Sequence, residues 1–167
     1  MQKPQQLKDF LVSSISELKV NPDRLLVFVD EGHLRSTLAN GLSFEYAYKL
    51  TLILTDYAGD LAAISVPLLD WVRVHQSELL TNLDQVKNAI SFEAEILAND
   101  KVDLVVQLPL TERVVVKQQD DGSLNISYPA EPQYQKAQDS TLVTLYNKDG
   151  SVLAAWQSAD PQQHYSL

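Results

Sequence analysis

Between Ser43 and Tyr57 the chain reads SFEYAYKLTLILTDY, in which Phe44, Tyr46, Tyr48, Leu50, Leu52 and Leu54 alternate with Glu45, Ala47, Lys49, Thr51, Ile53 and Thr55. Alternation at period two, with no Gly or Pro to interrupt it, predicts a long strand with one apolar face. At about 3.3 Å per residue it would run roughly 50 Å, against a diameter of about 40 Å for a compact chain of this length. The strand is therefore expected to bend or protrude. A protruding half-apolar strand calls for a partner, such as another copy of the same chain.

Elsewhere the period changes. After Pro4, Leu7, Phe10, Leu11, Ile15 and Leu18 recur at helical spacing, and Asn21-Pro22 stops them. Leu25 to Val29 (LLVFV) is a continuous apolar run, which predicts a central strand covered on both faces. Asp30 to Gly41 is polar, contains two of the glycines and is expected to be a loop and a contact element. Ile64, Leu68, Trp71, Val72 and His75 share one face of a second helix, expected to begin near Val66 so that Pro67 falls in its first turn. Phe92, Ala94 and Ile96, then Val102, Leu104, Val106 and Leu108, predict a hairpin turning at Asn99-Asp100. Pro109 marks a bend or an edge position before the strand resumes over Thr111 to Lys117, and Asp121-Gly122 turns into Leu124 to Tyr128.

The last part of the chain is organised differently. Pro129 to Ser140 has the composition of an extended linker. Beyond it Leu142, Val143 and Leu145 face Val152, Leu153 and Trp156 across Asn147-Lys148-Asp149-Gly150, a second hairpin, which must dock on its own domain or on a neighbour. The order of elements predicts an α+β fold: an antiparallel or mixed sheet with two helices packed on one face, and a C-terminal β-hairpin. The expected organisation is a core over 1–128, a linker over 129–140, the hairpin over 141–156 and a flexible tail over 157–167.

Composition narrows the function. The 167 residues suffice for one domain with a full core. With no Cys, disulfides, thiolate metal sites and cysteine nucleophiles are excluded. Thirteen Lys plus Arg against 22 Asp plus Glu give a formal charge of -9, which disfavours nucleic acid or anionic lipid as the main partner. No signal peptide or membrane span is expected.

Candidate chemistry is sparse. His33, His75 and His164 have no metal-ligand spacing. Asp30, Glu31, Asp56 and Asp60 are the carboxylates that could converge for acid–base or metal-dependent hydrolysis; as strand-end residues they read first as turn formers and helix caps. No Gly-rich phosphate loop or nucleophile elbow occurs. Neither a cofactor nor a metal is expected. Trp71 reads as core, whereas Trp156, in an element with little core of its own, is a candidate anchor.

Four separated segments carry a likeness: PDRLLVFVDEG (Pro22 to Gly32), LSFEYAYKLTLILTDYAGD (Leu42 to Asp60), VPLLDWVRVHQSELL (Val66 to Leu80) and LPLTERVVV (Leu108 to Val116). In order and spacing they resemble the tail completion protein R family of contractile-tailed bacteriophages and their prophage relatives, from about Lys3 to Pro132. The TD-x-x-GD exit of the long strand at Thr55 to Asp60 is the most specific part. YNKDGSVLAAW (Tyr146 to Trp156) looks like the family's terminal hairpin, whereas the Gln-containing end after it has no counterpart.

The resemblance implies a non-enzymatic virion component, assembled in the host cytoplasm, that caps the head-proximal end of tail tube and sheath and readies the tail for the head. By analogy with tail terminators it implies a hexameric ring, with tube, sheath and connector as neighbours and DNA passing through without specific binding. An adaptor bound to the connector is the alternative. Contact residues are expected in the Asp30–Gly41 loop (Glu31, His33), the long strand (Phe44, Tyr46, Tyr48) and the hairpin (Tyr146, Trp156).

Overall fold

A computed structural model describes residues 1–37, 41–81, 89–97, 100–132 and 139–159. The tip of the expected loop (38–40), Asn99, most of the expected linker (133–138), and His164 with most of the expected tail (160–167) lie outside the described residues. Two short helices, α1 (Lys3–Ser14) and α2 (Ser16–Val20), precede a single 3-10 turn and strand β1 (Leu25–Ser36). Then come β2 (Phe44–Tyr57), α3 (Ala62–His75), α4 (Glu78–Thr81), β3 (Ser91–Ile96), β4 (Val102–Gln118), β5 (Leu124–Ser127), β6 (Thr141–Tyr146) and β7 (Val152–Ser158).

The α+β expectation holds. The main sheet runs β1-β2-β4-β3 with β5 also on β4, and every pairing is antiparallel. Leu50, Leu52 and Leu54 of β2 align with Leu108, Val106 and Leu104 of β4, and all are buried beneath α1 and α3. Leu7, Leu11, Leu18, Ile64, Leu68, Trp71 and Val72 cover them from the helical side, so the even-numbered face of β2 and β4 is the core face.

The terminal hairpin lies on the opposite side of the helices, with β7 against α1, α2 and α3 of the same chain. Ile15, where the first helix breaks, bridges to Ala154, and both are fully buried. The helices are thus held between a five-stranded sheet and a two-stranded one. The hairpin turns at 121–123 and 149–151 share one chemistry: Asp121 and Asp149 accept from the backbone N–H and hydroxyl of Ser123 and Ser151. Gly122 and Gly150 supply the positive φ of 84° and 86° that each turn requires. Those bonds hold both carboxyls below the usual carboxylate range.

Three expectations need correction. LLVFV is not a central strand: β1 is the sheet's edge, Leu25 is buried, but Leu26, Phe28 and Val29 are 42%, 47% and 37% exposed. A continuous apolar run does not reveal whether both faces are covered. The segment after Val29 is not a loop either. β1 continues to Ser36 through a bulge between Asp30 and His33, where Glu31 takes a left-handed φ of 51°. Nor does α3 wait for Pro67; it begins at Ala62, with the Asp60 carboxylate accepting from Ala62 N–H at 2.8 Å, and carries Pro67 inside.

Pro109 does not interrupt β4, which runs in register opposite β2 past Lys49–Pro109. β3 pairs with 102–107 and β5 with 115–118, leaving 108–114 of that edge without a strand among the described residues. Thr111 N–H faces this gap, as it donates to Gln76 Oε1 at 3.1 Å. Backbone direction repeats every two residues, so the N–H that Pro109 lacks is one that no strand needs.

Candidate interaction surface

Two neighbouring regions can be built up from these elements: a buried polar hub that closes the gap in the sheet, and the end of the sheet that runs on past it. At the hub, Lys3 is 8% exposed and its ammonium reaches the carbonyls of His75 (2.6 Å) and Thr111 (2.7 Å), Gln76 Oε1 (2.8 Å) and Glu131 Oε1 (2.7 Å). Gln76 and Lys3 thereby satisfy the exposed backbone of Thr111 in place of a neighbouring strand. Next to them Glu112, 4% exposed, accepts from the Tyr48 hydroxyl and from Gln2 N–H at 2.7 Å. Burial and then the Glu112 carboxylate push the Tyr48 phenol far above its ordinary range. His75 stacks on Trp71 with ring centroids 4.5 Å apart, and burial, then the Lys3 charge, lower its pKa to about 4. Every buried side-chain nitrogen and oxygen among the described residues has a partner, so the hub is accounted for as a structural seal.

Past the hub the sheet continues with no helix over it among the described residues. Residues 30–36 of β1 and all of β5 are exposed, and Phe44 and Tyr46 of β2 are partly buried. On the core-side face of this distal end, Leu34 is 71% exposed and Ile126 59% exposed. They flank Phe44 and Tyr46, whose rings meet edge to face at 4.9 Å. Glu31 binds Lys49 at 2.6 Å and Arg35 approaches Glu45 at 3.6 Å, both at the surface. At the opposite corner all six residues of β3 are exposed, Phe92 and Ile96 by 68% and 84%.

The structure divides the expected contact residues. Glu31, His33, Phe44 and Tyr46 come together on the distal sheet. Tyr146 is exposed, but on the terminal hairpin near α2, where Ser16 Oγ donates to the Val152 carbonyl at 2.9 Å. Tyr48 and Trp156 are buried, at 5% each, and so are not surface contacts of this chain. Trp156 Nε1–H donates to Asp70 Oδ2 at 3.0 Å and Ser158 Oγ to Asp70 Oδ1 at 2.7 Å, which pins the hairpin to α3. Leu34 and Arg35 fall within the expected contact element, whereas the exposed Phe92, Ile96 and Ile126 were not singled out. For Phe92 and Ile96 the alternation in FEAEI gives the apolar face of the strand but not that this face is left exposed.

The carboxylates do not converge. Asp30 accepts from Thr51 Oγ1 at 2.9 Å, opposite Lys49, whereas Asp56 lies beyond Leu54, about 20 Å further along the sheet. Asp56 pairs with Lys101 at 3.5 Å, and Asp60 caps α3. The TD-x-x-GD exit has a packing role: a Cβ on Gly59 would lie 2.6 Å from the Tyr57 hydroxyl oxygen, and Tyr57 is 2% exposed. Burial, then Glu17 and Asp60, push the Tyr57 phenol well above its usual range.

Comparison with known proteins bears on this surface. The family model described as P2 phage tail completion protein R (GpR) matches residues 1–132. Tail completion protein R of Escherichia phage P2 is 40% identical over 132 residues, covering 79% of this chain and 84% of that protein. No solved structure matches. The matched span includes the sheet and the hub and ends before the terminal hairpin.

Proposed function

Because this chain belongs to the P2 phage tail completion protein R family, we propose that it is a structural subunit of a phage tail, forming a ring that caps the head-proximal end of tube and sheath. The observation that carries this reading is the similarity over 132 residues to a protein named for tail completion. The distal sheet supports it: a half-apolar extension beyond the helices suits contact with protein, not chemistry on a small substrate. A cap must match the subunit below it without offering that subunit's own surface again, which is a specificity problem solved by shape and register. Strand addition suits that task, since main-chain bonds give affinity and alternate side chains fix register. With a formal charge of -9 the ring would also let DNA pass without holding it.

Electron microscopy of particles made without the protein tests the proposal. Overlong tails that shorten to a uniform length when the protein is supplied are the expected result. Tails of normal length that fail to join heads would replace the cap with a connector-bound adaptor. Tails of normal length, joined to heads, would overturn both.

A further inference from the structure

The sheet ends in two unlike edges, the distal half of β1 and the whole of β3, and their exposed side chains complement each other position by position. We propose that residues 32–36 of one copy pair antiparallel with β3 of the next, with Arg35 opposite Glu93, Leu34 opposite Ala94 and His33 opposite Glu95. The inference rests on the ring reading above and says which surfaces build it.

Strand direction permits this without turning a copy over. Going across the sheet, β1, β2, β4 and β3 alternate in direction. A second copy facing the same way therefore presents its β1 antiparallel to the first copy's β3, and the alternation continues. Such a head-to-tail contact uses two different surfaces, so it closes into a ring where the rotation allows.

Faces also agree. Glu93 and Glu95 align with Val105 and Asp103, on the face away from the helices, while Phe92 and Ala94 align with the buried Val106 and Leu104. Arg35 and His33 align with Glu45 and Ala47 on that same outer face, and Leu34 aligns with Tyr46 on the core side. Pairing as proposed puts Arg35 and His33 against the two glutamates. It seats Leu34 opposite a small residue, between Phe92 and Ile96, which are now 68% and 84% exposed. Both strands are exposed throughout this stretch, and among the described residues Arg35 has a 3.6 Å approach to Glu45 with 69% of its side chain exposed.

A level continuation of the sheet is the competing register, and the residues disfavour it. It would set Glu93 beside Leu26 and offer Glu95 only Arg24, whose guanidinium already binds Glu17 at 2.7 Å and the Asp56 carbonyl at 3.1 Å. The staggered register shifts each copy by about eight residues, roughly 26 Å, across a sheet four strands wide, roughly 19 Å. A stagger of this kind tilts the strands to the ring axis, as closed barrels require.

The absence of Cys makes the test direct. Leu34→Cys protein is mixed with Ala94→Cys protein, alone at high concentration and on tails, and oxidised. Each protein then carries a single Cys, so any bond joins two copies. A disulfide dimer from this mixture, and none from Leu26→Cys with Glu93→Cys, is expected. In parallel, Arg35→Glu and Glu93→Arg should each weaken the copy-to-copy contact about fivefold, and the double variant should recover it.

If the parent protein associates but neither the cross-link nor the charge reversal behaves this way, the proposed interface is wrong and the ring stands. If the parent protein stays monomeric both alone and on tails, the ring fails and this interface with it.

Discussion

Replacing Lys3 by Met tests whether the hub seals the sheet. The substitution keeps most of the buried stem but deletes an ammonium with four acceptors: two backbone carbonyls, Gln76 and Glu131. Removing one partner of a buried pair costs about 3–5 kcal/mol because the remaining group is left unpaired. Here the lower end applies, since the Glu131 side chain is 27% exposed and can turn to water. The Thr111 carbonyl cannot, because it is fixed in β4 between Leu110 and Glu112, which are 1% and 4% exposed. The expected loss is about 3 kcal/mol, which moves the urea midpoint down by roughly 1–2 M at a typical slope for a chain of this size. Glu131→Gln keeps an acceptor and loses only the charge, so it should cost about 1 kcal/mol, and the two changes together should cost less than their sum. Equilibrium urea unfolding followed by tryptophan fluorescence measures all three variants. A loss below about 1 kcal/mol for Lys3→Met, or strict additivity with Glu131→Gln, would refute the seal.

The same hub sets a pH dependence. His75 titrates near 4 in the folded chain against 6.5 for the free side chain, so between those values the unfolded chain binds more protons and stability falls as the pH drops. The loss should reach about 3 kcal/mol at pH 4, and urea midpoints of His75→Gln should lack this component of the slope. Gly59→Ala forces the buried Tyr57 ring to move and should cost about 1–3 kcal/mol, read as a lower melting temperature; an unchanged one would contradict the packing account of the TD-x-x-GD exit. Asp70→Asn cannot accept from both Trp156 and Ser158, so limited proteolysis should cut the terminal hairpin at least several-fold faster. In a Trp156→Phe background the same change should add little, and full additivity would argue against the pinning bond.

Elements with an unbroken period were legible in the sequence. β2 was found to within a residue because both its faces are defined, Leu50, Leu52 and Leu54 under the helices and Lys49 and Thr51 opposite. The edge status of β1 was not legible, because LLVFV looks the same whether or not a neighbour covers it. Asp30, Glu31 and Gly32 carry turn chemistry, yet they form a bulge within a continuing strand; local composition does not distinguish the two when the partner strand is long enough to hold the ladder. The candidate surface was half visible. Aromatic alternation exposed Phe44 and Tyr46, whereas Tyr48 and Trp156 were spoken for by Glu112 and Asp70, partners 64 and 86 residues away that periodicity does not reveal.

The terminal hairpin also roofs part of the helical layer. β7 is pressed on α1, α2 and α3, and Ala154 and Trp156 are buried there, while Leu69 of α3 stays exposed. The hairpin lies outside the span that the family model matches, and β1 and β3 lie inside it. Lengthening the turn between β6 and β7 would therefore change what that side of the chain presents and leave β1 and β3 as they are.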